Sequence, residues 1–244
     1  MFVRVGALFA VLPMFSVQNV PVQLRVALSA LMAFLIAPLL PSMVQGDLSF
    51  WSLIRGLFIE ASIGLLLGFV CRLVFYSIEM AGGIISTEMG LTLSSEFNQF
   101  NGSMTATPGM ILYWLALMLF FSLDLHHWII AALQRSYTVL PAGGAHLSET
   151  LLVDVIGRTG RMFVIALQIA APVMAVSFVM TLVFSVLGRA VPQMNVFSES
   201  FAVRTLVGLT VFGLTSMFMA QHIINYLRRL PEDMLSVARL LRGA

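Results

Sequence analysis

Seven apolar segments follow one another along this 244-residue chain, and they constrain its fold more than any other feature. A run of about 20 apolar residues is the length that crosses a bilayer as an α-helix. Hydrophobic residues make up 59% of the chain and charged residues only 10%, whereas about a quarter of a soluble domain is charged. The segments are Phe2–Phe15, Gln23–Leu39, Phe50–Ile85, Met110–Leu123, His126–Val139, Met162–Leu187 and Phe201–Leu227, followed by an amphipathic tail, Arg228–Ala244. The pattern predicts an all-α integral membrane protein with one domain.

Several of these segments fit a simple membrane span poorly. The first, fourth and fifth are short for a hydrocarbon core of about 30 Å. The third carries Glu60, Arg72 and Glu79, and the pair Gly82-Gly83 predicts a break within it. A charge at the bilayer centre costs about 2.5–3.5 kcal/mol on insertion scales. We therefore expect these three charged side chains to face protein or water rather than lipid.

The sequence gives no support for catalysis or for a bound cofactor. The motifs HExxH, G-x-S-x-G, Walker A and GxGxxG are all absent, so we expect neither an enzyme nor a nucleotide-driven motor. Cys71 is the only cysteine, which excludes an internal disulfide and a cysteine-based metal site. The net charge of +2 without a dense basic run argues against nucleic-acid binding.

Asp124, His126 and His127 form the one short cluster that invites a metal or proton-relay interpretation. Adjacent histidines point to different sides of a helix, which suits two-point metal binding poorly. We expect no metal here. The interpretation we favour is a contact at a helix junction, with Asp124 as the N-cap of the following helix.

A polar face runs along the third segment. Glu60, Gly64, Gly68 and Arg72 follow at steps of four, and Glu79 lies two turns further on. Glycines at that spacing let a second helix backbone approach closely. The same packing physics fits two interpretations: a contact between subunits, or a helix–helix contact within this chain.

The connection Thr87–Gly109 is the longest polar stretch between apolar segments. Long irregular loops in compact proteins tend to be functional or disordered. One interpretation is a solvent loop. The other is a re-entrant loop that lines or blocks a pore, where bulky apolar side chains exclude water. The residues that we assign to such a plug are Glu96, Phe97, Asn98, Phe100 and Met104.

The stretch Gly188–Phe197, GRAVPQMNVF, interrupts the last two apolar segments. Non-helical backbone at membrane depth persists only where protein or water satisfies its polar groups. We interpret the break as a bend between two helices. Its residues are Pro192, Gln193, Asn195 and Phe197.

Four motifs, taken in sequence order, resemble those of the FliR family. FliR is a component of the bacterial flagellar protein-export gate, and the family has injectisome relatives. The motif residues are Arg4, Pro13, Val20-Pro21 and Arg25 at the start; Glu79–Ser86 with Met89-Gly90-Leu91; Leu119–Phe121, His126-His127, Arg135–Tyr137 and Pro141; and Pro192–Phe197, which resembles the PQxNxF element. The stretch Ser198–Arg204 departs from the basic residues that often follow that element. Because of this departure, the motifs do not assign the chain securely to the flagellar or to the injectisome branch of the family.

The resemblance implies a core subunit of the flagellar type III secretion export gate, in the bacterial inner membrane at the flagellar basal body. It implies FliP-like, FliQ-like and FlhB-like partner subunits and a channel that passes unfolded flagellar proteins. It also implies bent helical hairpins in a helical multi-subunit gate, with residues 1–145 FliP-like and residues 146–244 FliQ-like. The region Glu88–Gly109 would then plug the closed channel.

Three alternatives stay open at the level of sequence. The first is an injectisome export-gate subunit of the same family. The second is a small-molecule secondary transporter, because broken helices and intramembrane charges fit that class too. The third is a purely structural nucleus for assembly that makes no contact with the channel.

Overall fold

The computed structural model describes residues 1–16, 20–39, 49–91, 107–141, 143–145, 148–191 and 196–242. All regular structure in these ranges is helical, which confirms the predicted all-α class. The helices are α1 (Phe2–Val11), α2 (Pro13–Ser16), α3 (Val22–Ile36) with a 3-10 turn at Ala37–Leu39, α4 (Phe50–Glu88), α5 (Thr107–Ser122), α6 (Leu125–Val139), α7 (Glu149–Ala190), α8 (Val196–Leu227) and α9 (Leu230–Leu241).

The helices form two compact units, each of which is discontinuous in sequence. Unit 1 contains Met1–Phe75, Phe120–Gly160 and Tyr226–Ala244, and unit 2 contains Tyr76–Leu119 and Arg161–Asn225. In unit 1, α1 packs against α3, and α9 packs against α6. The predicted division into a FliP-like part (1–145) and a FliQ-like part (146–244) concerns similarity to other subunits and stays a prediction.

Three helical stretches among the described residues are long and apolar enough to cross a membrane. They are Phe50–Glu88, Glu149–Ala190 and Glu199–Leu241, with mean hydropathies of 2.0, 2.2 and 1.5 in their most apolar windows. Helices α5 and α6 pass the same test only as a pair, and the chain bends by 71° between them. These lengths confirm the prediction of a membrane protein.

Two predicted helix boundaries are wrong. Helix α4 continues through Gly82-Gly83 to Glu88 instead of breaking there. In place of a break, Gly82 provides a close approach, because a Cβ atom at that position would lie 2.1 Å from Gly109 Cα. Helix α7 begins at Glu149, well before the predicted Met162, and Pro172 lies inside it without ending it.

The junction of α5 and α6 also differs from expectation. Asp124 occupies the N-cap position of α6, but its side chain makes no capping hydrogen bond. Its backbone is left-handed, with φ of 54°. A non-glycine residue takes this conformation uncommonly, and aspartate is among those that tolerate it best. Asp124 therefore turns the chain by its backbone conformation and not by side-chain capping.

Long apolar surfaces remain uncovered within unit 2. The most apolar window of α7 is 28% buried, and that of the α8 stretch is 6% buried. Large side chains such as Leu206, Leu214, Met217 and Phe218 are more than half exposed. Apolar area of this extent marks contact with lipid or with other proteins.

Candidate functional site

The most completely buried charged group in the described chain is Arg4, which lies in the otherwise apolar helix α1. Its Nε atom donates to Glu60 Oε2 at 2.8 Å, and its Nη2 atom donates to Glu60 Oε1 at 2.8 Å. Glu60 lies in α4 and is itself buried. The forked geometry is the one in which a guanidinium and a carboxylate bind most strongly.

The C-terminal end of α6 and the loop after it supply further partners to Arg4 and Glu60. Both terminal nitrogens of Arg4 donate to the backbone oxygen of Leu140 at 3.3 Å, and Nη1 also donates to Ser136 Oγ at 3.4 Å. The guanidinium carbon lies 4.0 Å from the centre of the Tyr137 ring. On the other side, Gly143 N donates to Glu60 Oε1 at 3.3 Å. We call Arg4, Glu60, Ser136, Tyr137 and Leu140 the arginine centre.

The arginine centre joins α1, α4 and the C-terminal end of α6 through polar contacts. Both carboxylate oxygens of Glu60 accept hydrogen bonds, so the group is held in one position. A buried ion pair contributes little over an apolar replacement, but removing one partner costs about 3–5 kcal/mol because the other charge stays buried and unpaired. The arginine centre therefore has a structural role, in which it positions helices within unit 1.

Two glycines of α4 let α1 lie close above the arginine centre. A Cβ atom on Gly64 would lie 2.3 Å from the backbone oxygen of Arg4 and 2.8 Å from Ala7 Cβ. A Cβ atom on Gly68 would lie 2.9 Å from Val11 Cβ. Contacts that run in the same order along both helices show that α1 is parallel to this part of α4. Small residues at four-residue spacing are the usual basis for such close helix packing in membranes.

The polar face predicted along α4 therefore meets α1 of the same chain over most of its length. Arg72 continues it, since its Nη1 atom donates to the backbone oxygen of Val11 at 3.3 Å, where α1 ends. A cation is favourable at a helix C-terminus. Glu79 is separate: it is exposed and belongs to unit 2. The contact within the chain is thus observed for Glu60, Gly64, Gly68 and Arg72.

A second polar cluster fixes the C-terminal helix to unit 1. Arg158 of α7 donates to Asp154 of the same helix and to Asp233 and Ser236 of α9. Its side chain is 11% exposed, so the cluster is largely shielded from solvent. This cluster was not singled out from the sequence, because Arg158 precedes Met162, where the apolar segment was predicted to begin.

A third polar group lies in unit 2 at the C-terminal end of α4. Ser177 of α7 donates to the carboxylate of Glu88, and Thr205 of α8 donates to the backbone oxygen of Met89 at 2.9 Å. Arg204 Nη2 donates to Thr181 Oγ1 at 3.0 Å, while its buried Nε atom has no hydrogen-bond partner among the described atoms. These contacts tie α4, α7 and α8 together at residues 88 and 89 of the described chain.

Asp124, His126 and His127 are brought close together at the junction of α5 and α6. Each offers one ligand atom, and these atoms lie within 4.8 Å of one another. The two imidazole ring centres are 4.0 Å apart, so the expectation that adjacent histidines diverge was wrong for this pair. Asp124 and His127 are nevertheless about 70% exposed. Exposed acidic groups are common without an ion, so this grouping does not by itself make a metal site.

The remaining predicted site residues fall largely outside the described residues. All the residues assigned to the plug lie there: Glu96, Phe97, Asn98, Phe100 and Met104. So do Pro192, Gln193 and Asn195 of the helix break, whereas Phe197 belongs to the first turn of α8. Helix α7 ends at Ala190 and α8 begins at Val196, so the predicted break Gly188–Phe197 is helical at both of its ends.

The principal residue that sequence reasoning missed is Arg4, which it had noted only as part of a motif. The signal was present, because a single charge inside an apolar segment requires a buried partner. Glu60 was noted separately, 56 positions away. No local pattern joins two residues at that distance.

Comparison with known proteins places these features in a wider group. The sequence pattern of the family described as "Bacterial export proteins, family 1" matches residues 1–230. The chain is 33% identical to the flagellar biosynthetic protein FliR of Caulobacter vibrioides over 216 residues, 88% of this chain and 86% of that protein. It is 27% identical to the protein of the same name from Escherichia coli over 98% of this chain and 92% of that protein. It is also 25% identical to the Yop proteins translocation protein T of Yersinia pestis, over 90% of this chain and 85% of that protein.

Proposed function

We propose a function in flagellar protein export for this chain, which belongs to the bacterial export proteins, family 1. The single observation that carries the proposal is the family match over residues 1–230, together with flagellar relatives that align over most of both chains. The chain would be a core subunit of the flagellar type III export gate. It would help form the channel through which unfolded flagellar proteins cross the bacterial inner membrane at the flagellar basal body.

The uncovered apolar surfaces support a role as one subunit among several. The window of α8 that is 6% buried and the exposed faces of α7 need lipid or protein neighbours. Gly157, Gly160 and Gly213 have no atom within 4 Å of an added Cβ, so a second helix backbone has room to approach there. We propose FliP-like, FliQ-like and FlhB-like subunits as the partners, in a helical assembly of bent hairpins.

Co-purification tests the proposed partnership. The chain carrying an affinity tag is expressed together with the FliP-like and FliQ-like proteins of the same organism and isolated in mild detergent. The proposal expects one stable complex that contains all three proteins, and a poorly stable chain when it is expressed alone. A stable, monodisperse isolated chain that recovers neither partner would contradict it.

The plug loop is the second part of the proposal. Residues Glu96, Phe97, Asn98, Phe100 and Met104 would close the channel by excluding water. The loop follows the group in which Ser177 and Thr205 bind the end of α4, which would give the plug a fixed anchor. Deletion of residues 95–103 should raise ion leakage through the assembled gate, measured as conductance in planar bilayers. Unchanged conductance would rule out this assignment and leave a structural role for the loop.

The other predicted residues would shape the subunit. Pro192, Gln193, Asn195 and Phe197 would form the bend between α7 and α8, and the polar face of α4 would hold α1 in place. None of these roles requires catalysis, so the proposed function is non-enzymatic and uses no cofactor.

Experiments distinguish the proposed function from two alternatives, an injectisome gate subunit and a small-molecule transporter. The similarity to the Yop proteins translocation protein T favours an injectisome gate as the first alternative, but the flagellar relatives include one of higher identity. Loss of flagellar export without loss of virulence-protein secretion in a deletion strain would decide for the flagellum. A small-molecule transporter would instead work alone in liposomes.

A further inference from the structure

A groove in unit 1 lies between α6 and the C-terminal helix α9 and has no assigned role. Its volume is about 420 Å³. Its lining includes the apolar residues Trp128, Pro231 and Leu235 and the charged residues Arg135, Arg228 and Glu232. The volume falls within the range of about 300–1,000 Å³ that is typical of small-molecule sites.

The two arginines give the groove an excess of positive charge. Arg135 and Arg228 are both exposed, and within the described residues neither guanidinium has a hydrogen bond or an ion pair. Glu232 contributes one negative charge to the same lining, so one positive charge remains unbalanced. A guanidinium presents planar, paired donors that match the oxygens of a phosphate. The charge and the donor geometry together favour a phosphate-bearing ligand.

The apolar lining and the position along the chain indicate that this ligand is a lipid. Arg228 lies at the turn that ends α8, a helix that is long and apolar enough to help cross a membrane. Trp128 is 59% exposed, and tryptophan is enriched at the headgroup level of membranes. Basic pockets between membrane helices bind anionic headgroups elsewhere. A free phosphate ion would make no use of the apolar lining.

We propose that this groove binds one anionic phospholipid, with its phosphate between Arg135 and Arg228 and its acyl chains along the apolar lining. The bound lipid would connect α6 to α9 and stabilise the C-terminal helix against unit 1. The inference depends on membrane insertion and not on protein export. Its failure would therefore leave the proposed function untouched.

The test uses the full chain, purified with its co-expressed partner subunits in detergent. Melting temperature and lipid-bound mass by native mass spectrometry are measured against added phosphatidylglycerol, phosphatidylcholine, glycerol phosphate and inorganic phosphate. The proposal expects saturable stabilisation and a bound lipid with phosphatidylglycerol alone. The affinity of the double variant Arg135→Gln/Arg228→Gln for phosphatidylglycerol should be lower by a factor of at least about ten, because charge-assisted hydrogen bonds are lost.

Two variants complete the test. Arg239→Gln removes an exposed arginine of α9 that does not line the groove, so it should leave phosphatidylglycerol binding unchanged. Arg135→Lys/Arg228→Lys keeps both charges and should retain most of the binding. The proposal is overturned if the double variant Arg135→Gln/Arg228→Gln binds phosphatidylglycerol as the native chain does, or if phosphatidylcholine or inorganic phosphate stabilises the complex equally. It is also overturned if the complex binds no phosphatidylglycerol.

Discussion

Arg4 and Glu60 form a buried ion pair between helices α1 and α4, with Nε–Oε2 and Nη2–Oε1 distances of 2.8 Å. The pair predicts an unequal response to single and double replacement. Arg4→Met and Glu60→Met should each destabilise the chain by about 3–5 kcal/mol, because each leaves the other charge buried and unpaired. The double variant should be more stable than either single variant. The melting temperatures of the detergent-purified complexes give the order of stability of the native chain, the two single variants and the double variant.

Arg55→Met is the matched control for this prediction, because Arg55 is an exposed arginine of the same helix α4. It should melt within a few degrees of the native chain. If the losses of the two single variants simply add in the double variant, Arg4 and Glu60 do not stabilise each other.

Gly64 should not tolerate a methyl group. A Cβ atom at this position would lie 2.3 Å from the backbone oxygen of Arg4, and backbone has little freedom to move aside. Gly64→Ala should destabilise the chain by about 1–3 kcal/mol, the usual range for overpacking. Gly56→Ala in the same helix meets no atom within 4 Å and should be neutral or stabilising by up to about 1 kcal/mol. Equal melting temperatures for the two variants would show that α1 does not lie against Gly64.

The adjacent glycines Gly82 and Gly83 should differ in the same way within unit 2. An added Cβ on Gly82 would lie 2.1 Å from Gly109 Cα, whereas Gly83 has open space. Gly82→Ala should separate α4 from the start of α5, and Gly83→Ala should leave the packing intact. Melting of the detergent-purified complex measures the difference between the two variants. A lower melting temperature for Gly83→Ala than for Gly82→Ala would contradict the packing.

Arg158 should control how firmly α9 is held. Its donors reach Asp233 and Ser236, so Arg158→Gln removes the ionic contact and leaves Asp233 without its partner. Trypsin should then cleave the C-terminal tail several-fold faster, since its sites include Arg239 and Arg242. Arg189→Gln, an exposed change near the end of the same helix, is the control. Identical cleavage rates would mean that the cluster does not restrain α9.

The class of fold and the polar face of α4 were predictable from the sequence because both depend on local periodicity. Apolar runs indicate helices that must be buried in protein or inserted into the membrane. Residues spaced four apart indicate a shared helical face. The partner of that face was not predictable, because pairing Arg4 with Glu60 requires contact between distant segments. For the same reason the Arg158 cluster became visible only in the folded chain.

The errors at Gly82-Gly83 and at the start of α7 have a common physical origin. The pair Gly82-Gly83 was interpreted as a break, and α7 was expected to begin only where the apolar run begins, at Met162. In these helices, Gly82 serves close packing, and Arg158 pairs with Asp154 one turn earlier in α7. Tertiary contacts therefore override the local preference.

Secretion measured in a deletion strain tests most directly the proposal that this chain is a subunit of the flagellar export gate. The chain is removed from its own organism, and a flagellar substrate is measured in the culture medium. Secretion should stop in the deletion strain and the native chain should restore it, while Arg4→Met restores it poorly and Arg55→Met restores it fully. Undiminished secretion of flagellar proteins without the chain would contradict the proposed function.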